Sequence, residues 1–385
     1  MFITKNTYKH IFYLNTSTIY NSTKLTTVDN TDIHTYIHIH IHTYTLNTDM
    51  SKYGAYEVDR RVGSGAFAQV WRVVDKPLVV KAYSETDLKY YKNELRMLHQ
   101  VGEHEHILSG GDAFIYIHPN FDISPCIVFT LMGDHIGRLL RYYYKNESDG
   151  LTLQQVSYFA NQILSGLVHI HERGVVHGDI KPENILMNVS ASEAASNVWD
   201  VKLKICDFGS STVNPRPGAN IGTTGYVAPE LIIGAKFDYA VDIWSAFCLF
   251  YELYTSTMLF DVYNEAALNY GEDVKKDLEG VVENSGDDYQ LSYVNLLLIE
   301  KMLGPPPRDF VTNGRTYYNA RGKLKNNPHV EHVGIAAHLK NNYELEENCG
   351  EFVKFLMLGL KYTPAERITA AAALKLDWLL QPMVL

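Results

Sequence analysis

The sequence predicts an α+β fold in two lobes, with an antiparallel β amino-terminal lobe that carries one helix and a mainly helical carboxyl-terminal lobe. The chain has 385 residues, and a single hydrophobic core stops growing near roughly 250–300 residues. Residues 56–83 form short β-rich runs around a glycine turn, which is the pattern of strands joined by tight connections. Residues 89–101 repeat apolar side chains at helical spacing.

Composition narrows the class of protein. Apolar residues make up 46% of the chain and charged residues 20%, as in an ordinary folded domain. The formal charge of −10 argues against direct nucleic-acid binding, which needs cationic side chains, and suits basic protein partners. Four scattered cysteines without a CxxC pair predict neither a disulfide framework nor a zinc site. Since no apolar run approaches the roughly 18 residues of a membrane span, we expect no membrane association and a location in the cytoplasm, the nucleus or both.

Residues 1–49 differ from the rest of the chain. They contain no Gly, Pro, Ala, Arg, Glu or Gln, which marks low complexity. The run 33–45, IHTYIHIHIHTYT, resembles a translated short DNA repeat. An alternative is a metal-binding tract of His34, His38, His40 and His42, whose side chains would alternate along an extended chain. We predict that translation starts at Met50 and that 1–49 is disordered or a misassigned start.

The glycine turn is Val62-Gly63-Ser64-Gly65. We expect its two glycines to let the backbone pass close over phosphates, where a Cβ would obstruct or a positive φ is required. A GxGxxA string alone also fits a plain hairpin or a dinucleotide-binding turn. The run 69–74 that follows has a strand pattern, and a dinucleotide-binding turn would lead into a helix.

Lys81 ends the next β-rich run and is a point cation suited to phosphate groups. Glu94 lies within the helical pattern of 89–101, and we predict that it pairs with Lys81. Glu85 and Glu103 are the competing partners. The predicted apolar stripe of this helix consists of Leu88, Tyr91, Leu95 and Leu98.

Two later segments carry the most specific motifs, VVHGDIKPENILMNV at 175–189 and VKLKICDFGSS at 201–211. Together they resemble the catalytic and magnesium loops of protein kinases, and the resemblance extends over residues 53–385. It implies a bilobal protein-kinase fold with ATP and Mg²⁺ in the cleft. Asp179 is suited to accept the proton of the attacking hydroxyl and Lys181 to neutralise γ-phosphoryl charge, while Asn184 and Asp207 offer oxygen ligands to Mg²⁺.

The resemblance also implies a division of the chain and a nucleotide pocket. It places the amino-terminal lobe at 50–131 and the carboxyl-terminal lobe at 132–385, with an insert within 261–338. Phe129 would be the gatekeeper. The nucleotide-binding residues implied are Val62, Gly63, Ser64, Gly65, Val70, Val79, Lys81, Glu94, Thr130 and Met132.

Further matches concern the substrate loop. The segment GTTGYVAPE, 222–230, resembles the end of a kinase activation segment. By that resemblance Thr223 lies near Asp179, Asp242 holds the backbone of the catalytic loop, and Glu230 pairs with Arg367.

A lysine two positions after Asp179 is the pattern of kinases that phosphorylate serine and threonine. The chain looks most like the SR-protein kinases of the CMGC group, which implies a monomer acting on Arg/Ser-rich proteins such as splicing factors. Two features depart from that group, Val227 in place of an arginine and only 190–197 in place of a long spacer. The acidic run 261–288 suits a basic peptide, although a solvated acidic loop explains it equally.

Gly178 stands where an arginine commonly pairs with an activation-loop phosphate. We therefore expect activity without loop phosphorylation, with Ser210, Ser211, Thr212 and Thr224 as the candidate phosphosites. The alternatives are a pseudokinase scaffold, suggested by Ala68, Val79 and Gly178, and a small-molecule kinase.

Overall fold

The structure is a computed structural model that describes residues 52–65, 67–146, 150–265, 288–325 and 330–380. The low-complexity segment 1–49, with its histidine tract and the predicted start at Met50, lies outside the described residues. So does most of the acidic run 261–288.

The amino-terminal lobe is built on a six-stranded antiparallel sheet with strand order β1-β2-β3-β4-β6-β5. The central strands are rich in β-branched and aromatic residues, which fit a pleated, half-buried surface. β4 pairs on both sides, so Lys81 lies opposite Val70 on one neighbour and Ile127 on the other. The strands are β1 Lys52–Tyr53, β2 Tyr56–Ser64, β3 Ala68–Val73, β4 Leu78–Tyr83, β5 Gly110–Ile117 and β6 Ile123–Thr130.

Helix α1, Leu88–Val101, packs on this sheet and ends at Gly102. Gly102 has φ +70° and donates its N–H to the Leu98 carbonyl, an ending that favours glycine. Its buried residues are Tyr91, Glu94, Met97 and Val101. The predicted stripe of Leu88, Tyr91, Leu95 and Leu98 packs against the core of the lobe, with Tyr91 buried and the three leucines partly buried. The helix is rotated so that Glu94 faces the lobe interior.

The carboxyl-terminal lobe is mainly helical. Helix α3 begins with a capping box between Thr152 and Gln155, which satisfies otherwise free backbone donors. Helix α6 is buried from Val241 to Thr255, as expected of a helix that is apolar on every side. The helices are α2 Ile136–Lys145, α3 Leu153–Glu172, α4 Ala191–Ser196, α5 Pro229–Ile232, α6 Ala240–Thr255, α7 Asp288–Leu303, α8 Arg308–Asn313, α9 Ile335–Asn342, α10 Cys349–Gly359, α11 Ala370–Ala373 and α12 Asp377–Leu380.

A small antiparallel sheet of β7, Ile185–Met187, and β8, Leu203–Ile205, carries the catalytic motifs. The segment 177–184 precedes β7, and Asp207 follows β8, so the pairing brings both motifs to one end of this sheet. Ile205 also bridges to Ile107, which follows α1.

All four cysteines lie in described segments and are unpaired. Within the described residues, no cluster of three His, Cys, Asp or Glu side chains is placed to hold a metal. The same residues include no helix long and apolar enough to cross a membrane.

Candidate active site

Lys81 is held between two carboxylates. Its Nζ lies 2.7 Å from Glu94 Oε2 and 2.9 Å from Asp207 Oδ1. The three residues come from β4, α1 and the turn after β8, so the contacts fix three separate elements around one point. Neither Glu85 nor Glu103 pairs with Lys81 among the ion pairs of the described residues.

Burial and charge act in opposite directions on this group. Burial lowers the pKa of Lys81, but Glu94 and Asp207 together raise it above its ordinary value. Burial would raise the pKa of Asp207, yet the Lys81 ammonium lowers it to about 2. For Glu94, burial outweighs the attraction of Lys81 and raises the pKa to about 7. Asp207 is therefore ionised at neutral pH, and Glu94 is poised to titrate there.

The raised pKa of Glu94 predicts an acid limb in the activity profile. Below about pH 7 Glu94 gains a proton and holds Lys81 less firmly, so kcat/KM should fall as pH drops from 8 to 6. The free energy of unfolding should change in the opposite direction and rise as pH falls. Because the folded pKa lies above the unfolded value of about 4.3, the contribution of Glu94 to stability is present below about pH 4.3 and is lost as pH rises through 7.

This prediction is checked by the pH dependence of kcat/KM and of chemical unfolding for the wild type and Glu94→Gln. The variant, although less active, should lack the limb near pH 7 after each profile is scaled to its own maximum. Parallel profiles for the two proteins would contradict the assignment.

The catalytic loop is anchored by Asp242 at the start of α6. Its two carboxylate oxygens accept from His177 N at 2.9 Å and Gly178 N at 2.7 Å, and His171 Nε2 lies 2.9 Å away. Gly178 has φ +80°, and a Cβ there would lie 3.0 Å from Ile221 Cδ1. An arginine at this position would be strained, which explains the glycine in this chain.

Asp179 is the centre of the hydrogen-bond network in the cleft. Thr223 Oγ1 donates to its Oδ1 at 2.6 Å, and Lys181 Nζ reaches its Oδ2 at 2.9 Å and Thr223 at 2.8 Å. The Asn184 amide donates to the Asp179 carbonyl at 2.8 Å and to Oδ2 at 3.0 Å. The tertiary structure thus brings together the four polar groups that the motifs contributed. The side chain of Asp179 remains 15% exposed, so it is accessible from the cleft.

Asn184 and Asp207 are neighbours through the backbone, since Cys206 N donates to the Asn184 carbonyl at 2.9 Å. The Asn184 N–H groups are used by Asp179, which leaves its amide oxygen as an acceptor. One carboxylate and one amide oxygen are too few for a metal site made of protein alone. They fit Mg²⁺, which usually takes one or two carboxylates and completes its shell with water and substrate phosphates.

The glycine turn lies over the cleft, and its backbone is not strained. Gly63 pairs with Val70 and Ser64 with Gln69 across the β2–β3 hairpin, and Gly65 N donates to the Ala68 carbonyl at 2.9 Å. Neither glycine has a positive φ, so that part of the expectation was wrong. A Cβ at Gly65 would meet nothing within 4 Å. Glycine here leaves open space under the turn.

An apolar wall suited to a flat aromatic ring adjoins this turn. Val79 and Phe129 are buried, and Val70, Met132 and Leu186 pack against the same cluster. Leu186 was missed from the sequence, although it follows Asn184 by two positions, in the middle of β7. Val62 lies at the rim, 38% exposed.

The segment between the lobes leaves one backbone donor free. Leu131 N donates to Pro77 and Gly133 N to Met187, whereas Met132 N has no partner among the described residues. Thr130 is the last residue of β6, opposite Leu78. A free N–H between two bonded ones, beside an apolar wall, fits the edge of a heteroaromatic base.

The substrate loop is fixed by a buried ion pair. Arg367 donates to both oxygens of Glu230 at 2.6 Å, and the two side chains are 0% and 3% exposed. Arg367 also lies over the Trp244 ring, 5.1 Å from its centroid. This pairing was predicted and is present.

Comparisons with known proteins agree with this geometry. The family model described as protein kinase domain matches residues 56–379. The mitogen-activated protein kinase HOG1 of Cryphonectria parasitica is 33% identical over 329 residues, covering 83% of this chain and 76% of that protein.

More distant relatives show the same family. Dual specificity tyrosine-phosphorylation-regulated kinase 3 of Mus musculus is 29% identical over 84% of this chain and 54% of its own length. Serine/threonine-protein kinase ppk5 of Schizosaccharomyces pombe is 29% identical over 86% of this chain and 37% of its own length. None of these three is an SR-protein kinase, although the mitogen-activated and dual-specificity kinases fit the CMGC group. With the family match, the relatives and the assembled cleft together, the chain belongs to the protein kinase family and is a serine/threonine protein kinase.

Proposed function

We propose that this kinase transfers the γ-phosphoryl group of Mg²⁺-bound ATP to serine or threonine hydroxyls of basic, Arg/Ser-rich proteins, with Asp179 as the residue that accepts the hydroxyl proton. The observation that carries the assignment of Asp179 is its contact with Thr223. There the carboxylate already accepts a hydroxyl proton donor at 2.6 Å, the distance that general-base catalysis requires of a substrate hydroxyl.

The remaining residues of the cleft supply positive charge or hold the metal ion in position. Lys181 holds its ammonium against Asp179 and Thr223, so its charge lies where a transferred phosphoryl group would meet the hydroxyl. Lys81, fixed by Glu94, presents a cation to the nucleotide phosphates. Asn184 and Asp207 would hold Mg²⁺, which when bound neutralises phosphate charge.

The nucleotide would lie between the glycine turn and the apolar wall. The open space at Gly65 leaves room for phosphates, and Met132 N offers a donor to the base. Val79 is buried within the wall, so its two methyl groups are part of the packing. A pseudokinase is not favoured, because Lys81, Asp179 and Asp207 are all present and in contact with their partners.

A protein substrate is supported by a cavity of about 340 Å³ beside Thr223. Gly222, Thr224 and Val227 line it, together with residues of α7. Because residues of an extended chain advance by about 3.3 Å, the neighbours of a hydroxyl residue placed at Asp179 would reach this cavity.

The preference for basic substrates is supported by charge. The chain carries a formal charge of −10. Glu183 lies in the catalytic loop two positions from Lys181, is exposed, and forms no ion pair with any described residue. An arginine near the phosphoacceptor could pair with it.

A peptide panel tests this preference. Arg-Ser repeats should be phosphorylated with higher kcat/KM than Ser-Pro or acidic peptides, and Glu183→Gln should reduce that advantage several-fold. Glu351→Gln, an exposed carboxylate on α10, is the matched control and should leave the ranking intact. Preference for Ser-Pro or acidic peptides would refute the substrate class while leaving kinase activity in place.

A further inference from the structure

Asn93 on α1 reaches across to the segment that follows Asp207. Its Nδ2 donates to the Gly209 carbonyl at 2.9 Å and to the Ser211 carbonyl at 2.8 Å. Its Oδ1 accepts from Arg96 at 3.0 Å. Since a side-chain amide has two N–H groups and one oxygen, every polar atom of Asn93 is engaged, and the amide has one defined orientation.

This contact adjoins the catalytic contacts on the same helix. Glu94, the next residue, binds Lys81 and accepts a hydrogen bond from the Phe208 backbone. Helix α1 therefore holds the chain on both sides of Asp207, at Phe208 through Glu94 and at Gly209 and Ser211 through Asn93. Asp207 itself has φ +67°, in the left-handed region that Asp and Asn adopt more readily than other non-glycine residues.

The same segment is tied to the catalytic loop. Ser211 Oγ donates to the His177 carbonyl at 2.8 Å, and Thr212 and Val176 exchange two backbone hydrogen bonds of 2.9 and 2.8 Å. Ser211 is 3% exposed, so of the four candidate phosphosites it is the one least open to modification. Gly178 has no side chain with which to bind a phosphate.

We propose that Asn93 is a positioning residue that clamps residues 209–211 to α1 and so replaces activation-loop phosphorylation in assembling the site. The clamp rests on the proposed function, because its purpose is to keep Asp207 against Lys81 for phosphoryl transfer. It explains how the loop stays in place where an arginine–phosphate contact is not available.

The test uses the full chain after phosphatase treatment, with absence of phosphate verified by mass spectrometry. The wild type should keep its turnover. Asn93→Ala should lower kcat/KM about tenfold to a hundredfold, the range expected for two neutral hydrogen bonds. It should also speed hydrogen exchange in peptides covering 208–213, while the melting temperature changes by no more than about 2–4 °C.

Asn93→Asp gives a readout that a merely structural role would not. It has nearly the shape of asparagine and keeps the acceptor for Arg96, but its carboxylate has no N–H to donate to the Gly209 and Ser211 carbonyls. Its kcat/KM and its exchange at 208–213 should therefore change at least as much as those of Asn93→Ala, whereas a role that depends only on volume or on Arg96 would leave them at wild-type values. Asn342→Ala is the matched control, since it also removes an asparagine bond to a backbone carbonyl, at His338 on α9, and should leave activity and exchange unchanged.

Three outcomes would overturn the clamp. The first is wild-type kcat/KM and exchange in Asn93→Ala, and the second is the same result in Asn93→Asp. The third is loss of most wild-type turnover on phosphatase treatment. If the wild type shows no phosphoryl transfer before treatment, the proposed function fails, and hydrogen exchange at 208–213 still decides whether Asn93 holds the segment.

Discussion

Asp179→Asn is expected to lower kcat by about a thousandfold, within the 10²–10⁴ range of general-base catalysis. Asparagine has nearly the same shape and can still accept from Thr223. It loses the negative charge that holds Lys181 at 2.9 Å and cannot accept the proton of the attacking hydroxyl. Because the side chain is small and partly exposed, the fold should persist.

Initial rates with saturating ATP and peptide give kcat, and thermal unfolding tests the fold. Nucleotide binding, measured as a ligand-induced rise in melting temperature, should survive in the variant. Asp309→Asn, an exposed carboxylate on α8, is the control and should match the wild type in all three measurements. Retention of more than about a tenth of wild-type kcat in Asp179→Asn would exclude Asp179 as the base.

Arg367→Met is expected to give the largest loss of stability. It leaves Glu230, 3% exposed, as a buried charge without its partner, which costs about 3–5 kcal/mol. The variant also loses the bond from Arg367 Nη1 to the Ala240 carbonyl at 3.0 Å. A decrease in melting temperature on the order of 10 °C follows for a domain of this size.

Chemical and thermal unfolding measure this effect, and a second variant separates charge from packing. Glu230→Leu combined with Arg367→Met removes both charges and should recover part of the lost stability. Lys354→Met breaks the ion pair of Lys354 with Glu351, whose side chains are 74% and 59% exposed. It should change the free energy of unfolding by no more than about 0.5 kcal/mol. Equal effects of Arg367→Met and Lys354→Met would show that burial of the pair contributes nothing.

Much of the fold was predictable because the relevant patterns are local. The strands from 56 to 83 and the helix at 89–101 follow from residue spacing, and the pairing of Lys81 with Glu94 followed from placing the glutamate on that helix. Which residues of α1 are most deeply buried was not predictable in the same way. Leu88, Leu95 and Leu98 are as apolar as Met97, and only packing on the sheet selects which of them is buried.

Sequence reasoning missed Asn93 because its partners are backbone atoms. It binds the carbonyl oxygens of Gly209 and Ser211, so no complementary side chain in the sequence indicates it. Met132, by contrast, was identified through the family resemblance. The glycine turn shows the opposite error. A positive φ was expected as one possibility at Gly63 and Gly65, but both residues have ordinary backbone conformations. The absence of a side chain leaves open space at Gly65.

The sequence by itself determined the chemistry, because one lysine, two carboxylates and one amide, at Lys81, Asp179, Asp207 and Asn184, suit little else than phosphoryl transfer. Only the tertiary structure decided how those groups behave. Lys81 and Asp207 are 126 positions apart, and the low exposure of Glu94 that raises its pKa arises from packing of α1 between the sheet and residues 207–211. Contact and desolvation depend on distance in space, which local sequence patterns do not encode.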